Sequence, residues 1–112
     1  SHPSKLDLIE RAMRAGYLVE LHVMLVPEDL AVARVAHRVA LGGHPVPEHK
    51  IRERYRRLWR LVAIARQITD HATFYDNTRS KPFAPVAVYH RGRPAGPSAW
   101  PRWAPPELTA GT

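Results

Sequence analysis

At 112 residues, and without a single cysteine, the chain has the length of one domain and excludes disulfides and thiolate metal sites. No apolar run approaches the ~20 residues of a membrane-spanning helix, and the first fifteen residues mix charged with apolar groups, unlike a secretory leader, so a cytoplasmic location is expected. Seventeen lysines and arginines against ten acids leave a formal net charge of +7, and only Lys5, Lys50 and Lys81 among the cations are lysine. That bias favours the planar guanidinium fork, which suits phosphate and carboxylate partners.

Residues 4–15 place Leu6, Ile9 and Met13 at helical spacing, with Ser4 as the expected N-cap, Glu10 and Arg14 as an i, i+4 pair, and Gly16 as the stop. Residues 17–26 (YLVELHVMLV) then read as a strand. One face is Val19, Leu21, Val23 and Leu25; the other is Leu18, Glu20, His22 and Met24. A strand so apolar is expected inside a sheet covered on both sides, with His22 as a hydrogen-bonded core histidine.

A helix over residues 27–41 follows. Pro27 suits its first turn, Glu28 and Asp29 complement the positive end of its dipole, and Gly42-Gly43 ends it. Ala31, Val35 and Val39 form a narrow apolar stripe, and Arg34 and Arg38 stand one turn apart on another face. The segment His44-Pro45-Val46-Pro47 cannot continue the helix, because each proline disfavours helical backbone in the residue before it. A long helix to about Thr69 starts there, with Ile51, Tyr55, Leu58, Val62 and Ala65 on one face and six arginines between Arg52 and Arg66. Tyr55 and Trp59 are expected to pack. His37, His44 and His49 straddle the proline turn at spacings that fit no compact metal site.

Residues 72–76 read as a short strand, 77–80 as a turn and 85–90 as a last strand. From Arg91 on, Pro, Gly and Trp accumulate without period, so 91–112 is expected to be an irregular tail behind a domain of 1–90. One long buried strand and two short ones do not complete a sheet. The expectation is therefore an α/β domain that lacks its first half, with self-association or the missing half covering the strand.

The segments SHPSKLDLI, AGYLVELHVMLVPEDLAVARVAHRV, GGHPVPEHKIRERYRRLW and FYDN together resemble the zeta-toxin-like family of bacterial P-loop kinases. The resemblance implies the C-terminal part of a three-layer P-loop kinase-type α/β domain, with a helix-turn-helix lid over about 28–69. It also implies ATP as phosphoryl donor, Mg²⁺ bound mainly by the first half, and, in the toxins, a UDP-amino-sugar acceptor and an antitoxin partner. Arg38 and Arg52 fall on the family's phosphate-contacting lid arginines. Arg34, Arg54 and Arg57 fall on recurrent arginine positions, and Asp76 and Asn77 on the loop that ends near the adenine. The family's phosphate loop, G-x-x-x-x-G-K-[ST], does not occur in this sequence and is expected upstream of Ser1. Without it the chain alone is expected to be inactive. Two other classes compete: a basic helix-turn-helix that binds nucleic acid, and a non-catalytic interaction module.

Overall fold

The computed structural model describes residues 3–78 and 85–110. Four helices and four strands follow in the order α1 (Pro3–Arg14), β1 (Glu20–Leu25), α2 (Glu28–Ala40), α3 (Glu48–Ile68), β2 (His71–Asp76), β3 (Pro85–His90), β4 (Arg93–Pro94) and α4 (Pro106–Thr109). The first six elements follow the expected order, whereas β4 and α4 lie in the stretch expected to be an irregular tail. At the start, α1 begins at Pro3, so Ser4 stands inside the first turn and not before it. Glu10 and Arg14 pair as expected, at 3.3 Å. The expected turn after β2 begins at Asn77 and Thr78, but its second half, with the stretch up to residue 84, lies outside the described residues.

The strands form one mixed sheet in the order β1-β2-β3-β4. β1 and β2 are parallel, joined by the α2–α3 hairpin; β2 pairs antiparallel with β3 and β3 with β4. Parallel neighbours need a long crossover, and here two helices supply it. β1 is an edge strand: among the described residues only β2 pairs with it.

One sheet face carries the core. Val23 and Leu25 of β1, Phe74 and Ala72 of β2, and Ala87 and Tyr89 of β3 are buried there under Trp59 and Val62 of α3. Period-two alternation puts the other residues of the same strands on the opposite face, and that face is open. Glu20, His22 and Met24 are exposed. His22 is thus hydrogen-bonded, to the Tyr75 hydroxyl at 2.9 Å, but it is not a core residue. The apolar character of β1 is spent on one side, and no described element covers the other.

The segment after β3, expected to be irregular, carries the short elements β4 and α4 and is packed against the core. A two-residue turn at Arg91 and Gly92, both with positive φ, joins β3 to β4 as a tight hairpin. Ala95 and Ala99 then donate to the carbonyls of Val88 and Val86, which holds the segment along the sheet edge. Trp100 meets Phe74 edge-on at 5.2 Å between ring centroids. Leu108 of α4 is fully buried, and its carbonyl accepts a 2.8 Å hydrogen bond from Arg66 Nη1. Arg66 is itself 5% exposed, and its guanidinium lies 4.4 Å from the Tyr89 ring centroid, so an aromatic face takes the place of a carboxylate.

Gly42 fixes the α2–α3 hairpin. Its φ is +104°, and the amides of Gly42 and Gly43 bond the carbonyls of Val39 and Arg38, both at 3.0 Å. This pair of bonds is the Schellman ending of a helix.

Because Leu108 completes the core, Leu108→Ala is expected to cost about 2–5 kcal/mol of unfolding free energy, as other large-to-small core changes do. Chemical denaturation checks this, and a change below about 0.5 kcal/mol, the scale of a surface substitution, would show the segment to be dispensable.

Candidate functional site

The connection between β1 and β2 builds a cleft of about 470 Å³. Its back wall is Val26, just past the carboxyl end of β1, and its sides are α2 and α3. In open α/β sheets this end of the strands is where ligands bind. Each helix contributes an apolar seam with cations along its edge. On α2 the seam is Ala31 and Val35, with Arg34 and Arg38 beside it; on α3 it is Ile51, Tyr55 and Leu58, with Arg54 beside it. Helical spacing of three and four places these residues on one side of each helix. Among the described residues, Lys5 of α1 adds a fourth cation and no carboxylate lines the cleft.

The cations differ in what they touch. Arg34 donates to the Asn77 carbonyl at 3.3 Å and so ties α2 to the end of β2. Arg38, Arg54 and Lys5 have neither a hydrogen-bond nor an ion-pair partner among the described residues. The Tyr55 hydroxyl donates to the Val26 carbonyl at 2.5 Å and braces α3 against the end of β1. Burial pushes the Tyr55 hydroxyl's pKa up, so it stays a donor at neutral pH.

Arg52 lies elsewhere. Two positions from Arg54, it projects from another side of α3 and meets three carboxylates. Nη1 reaches Glu28 at 2.6 Å and Asp29 at 3.0 Å, and Nε reaches Glu48 at 3.1 Å. Arg56 joins them through its Nε, 3.1 Å from Glu28. The five side chains lock the first turn of α2 to the first turns of α3. The Arg52 hydrogen bond holds Glu28 below its ordinary pKa of 4.5, with a smaller contribution from Arg56.

Of the residues singled out in the sequence, the structure therefore gathers Arg34, Arg38 and Arg54 at one cleft and sets Arg52 in the carboxylate cage. Arg57 is exposed and lines no part of the cleft. Asp76 is the last residue of β2 and Asn77 the first after it, and neither lines the cleft. The Asn77 amide bonds the Leu25 carbonyl at 2.9 Å, while Asp76 Oδ1 accepts from the amide and the hydroxyl of Thr78 at 2.9 and 2.6 Å and shapes the departing loop. Sequence reasoning missed two features. Lys5 has no helical period linking it to α2, and Glu28 and Asp29, read as dipole complements, are more than twenty residues from the arginine they hold.

The family model described as Zeta toxin matches residues 1–88 of the chain. No curated protein and no solved structure matches it.

The cage makes the hairpin acid-sensitive. Glu28 has a lower pKa folded than unfolded, so its contribution is complete above about pH 4.5 and is lost as pH falls through the folded value. Glu28→Gln is expected to lower the denaturation midpoint at pH 7, and the gap to the parent chain is expected to close below pH 4.5. An equal gap at pH 7 and pH 3 would assign the loss to packing instead of charge.

Proposed function

The chain belongs to the zeta toxin family, and from that premise we propose that it is part of an ATP-dependent phosphotransferase of P-loop kinase type, in which the α2–α3 hairpin is the lid that grips the nucleotide's phosphates. The observation that carries this reading is the cleft itself. Among the described residues, four cations and no carboxylate line the hollow at the carboxyl end of a sheet strand, and three of the four have no partner there. Unpaired guanidinium groups facing one hollow are matched to an oxyanion, because Arg presents two parallel N–H donors to two oxygens at once.

The cleft divides the work. Arg38 and Arg54 line the hollow from α2 and α3 and would take the phosphate oxygens. Arg34, anchored on the Asn77 carbonyl, would keep α2 beside the loop at residues 76–78. The apolar seams would exclude water around the charged groups, which strengthens every interaction there. When bound, ATP supplies the phosphoryl group. The cationic walls fit phosphate but offer no carboxylate to Mg²⁺, and among the described residues no three ligating side chains meet. No step is assigned to that ion here.

Arg52 serves first as the strut of the hairpin. Its three carboxylates hold it out of the cleft, and a phosphate would have to outcompete them to recruit it. Its role in this reading is to set the angle at which Arg38 and Arg54 meet.

The test is nucleotide affinity. ATP titrated into the 112-residue chain is expected to bind at least about tenfold more weakly to Arg38→Ala and Arg54→Ala, each of which removes a charged hydrogen bond of about 1.5–3 kcal/mol. Arg57→Ala, outside the cleft, is expected to stay within about threefold. Equal losses from all three would mean that the +7 net charge attracts ATP diffusely, and a steep salt dependence with duplex DNA would then favour nucleic-acid binding.

A further inference from the structure

β1 has one paired side and one unpaired side. The Val19 carbonyl accepts from the amides of Asp70 and His71, and the Leu25 carbonyl from the Asn77 amide, so the odd-numbered residues of this segment turn their backbone groups towards β2. Backbone direction alternates along a strand, which turns the N–H and C=O groups of Glu20, His22 and Met24 the other way. Among the described residues no strand pairs with that side. Natural sheets blunt such an edge with proline, lysine or a bulge. β1 contains no proline and no lysine, and its register with β2 runs without a shift. Leu18 (78% exposed) and Met24 (41% exposed) add apolar surface at its two ends.

The side chains along this edge are self-complementary. On the open face Leu18, Glu20, His22 and Met24 run apolar, acidic, imidazole, apolar. A second copy laid antiparallel about a two-fold axis at Leu21 sets Glu20 opposite His22 and Leu18 opposite Met24, and makes each contact twice. All four positions have outward backbone groups, so the facing residues exchange both hydrogen bonds of an antiparallel ladder. The adjacent two-fold registers match poorly. An axis at Glu20 opposes two carboxylates, which is destabilising, and an axis at His22 opposes two imidazoles and sets Glu20 against Met24. A slip of one residue sets the open face of one copy beside the core face of the other. We propose that the chain forms a two-fold dimer through antiparallel pairing of β1 with β1 of a second copy, with Leu21 on the axis.

Within one copy the Glu20 carboxylate already meets His22 Nε2 at 3.3 Å, and His22 Nδ1 meets the Tyr75 hydroxyl at 2.9 Å. Pairing lays this acid–imidazole couple beside its inverted twin, so each carboxylate gains a second imidazole and each imidazole a second carboxylate. Two four-stranded sheets become one continuous sheet with both cores on the same side. Because the central strands run antiparallel, the two clefts, each beyond the carboxyl end of its own β1, lie towards opposite ends of the joint sheet. The dimer therefore stands independently of what the cleft binds.

The experiment is sedimentation of the 112-residue chain over a range of concentrations, with two charge exchanges on the open face. The parent is expected to show a reversible monomer–dimer equilibrium. Glu20→Lys puts an ammonium against the His22 imidazole, and His22→Glu puts two carboxylates together. Each alone is expected to weaken the dimer at least about tenfold, because the altered pair occurs twice. An equal mixture of the two variants restores unlike partners at both contacts and is expected to associate about as tightly as the parent. The chain has no cysteine, so single-cysteine variants report the register. On mild oxidation Leu21→Cys is expected to yield a covalent dimer, whereas Met24→Cys, which faces Leu18, is not. Circular dichroism confirms that each variant folds, and the charge exchanges stand if Leu21→Cys does not. A parent that stays monomeric, a dimer indifferent to both exchanges, a mixture no tighter than its components, or cross-linking of Met24→Cys in preference to Leu21→Cys would overturn the pairing and leave the β1 edge to a different partner.

Discussion

The α2–α3 hairpin depends on the grip of Glu28 on Arg52 and Arg56. The α2 helix fully buries none of its residues. Its apolar seam is only half-buried, and charge adds to it. One carboxylate on the first turn of α2 meets two guanidinium groups of α3, with Asp29 and Glu48 completing the cage around Arg52. Exposed ion pairs are weak one at a time, but a network whose central carboxylate is mostly shielded is a stronger constraint. Its second effect is selective. The acids of the hairpin are consumed on one side, and the cations of the other side are left uncompensated around the cleft.

The same economy of charge appears in the core. Arg66 is buried without a carboxylate; its Nη1 donates to the Leu108 carbonyl and its guanidinium lies over the face of Tyr89, while its Nε has no partner among the described residues. A buried charge is costly unless its environment compensates, so this arginine is bound to the segment that supplies the carbonyl. Phe74, Tyr89 and Trp100 meet at ring separations of 5.2 to 6.5 Å and close the other side. The result is that α3 has two ends with different tasks. Its first turns carry the cage and the cleft, and its last turns hold the sheet and the C-terminal segment together.

Much of this was legible in the sequence, and for identifiable reasons. Helix ends were marked by Gly16, Gly42-Gly43 and the proline pair, and the strand at 85–90 by its β-branched alternation; these signals are local. The buried face of β1 followed from period-two spacing of Val23 and Leu25. What was not legible is long-range. Nothing near His22 says that its face of the sheet is open, and nothing near Arg52 says that Glu28 lies beside it. The residues from Arg91 on have no period because they follow the surface of a finished core, so the packing of Trp100 and the burial of Leu108 could be read only from the fold. Arg34, Arg38 and Arg54 converge because of helical phase, which the sequence does carry, whereas Lys5 joins them through the tertiary path of α1.

The most direct measurement of the central claim is arginine side-chain NMR during an ATP titration. The Nε–H signals of Arg38 and Arg54 should move first and furthest, those of Arg57 and Arg60 should stay in place, and Arg52 should keep the shift it has in the carboxylate cage until nucleotide is near saturation. Uniform small movements of every exposed arginine, or movement of Arg57 and Arg60 with Arg38 and Arg54 unchanged, would contradict a phosphate-gripping cleft between α2 and α3.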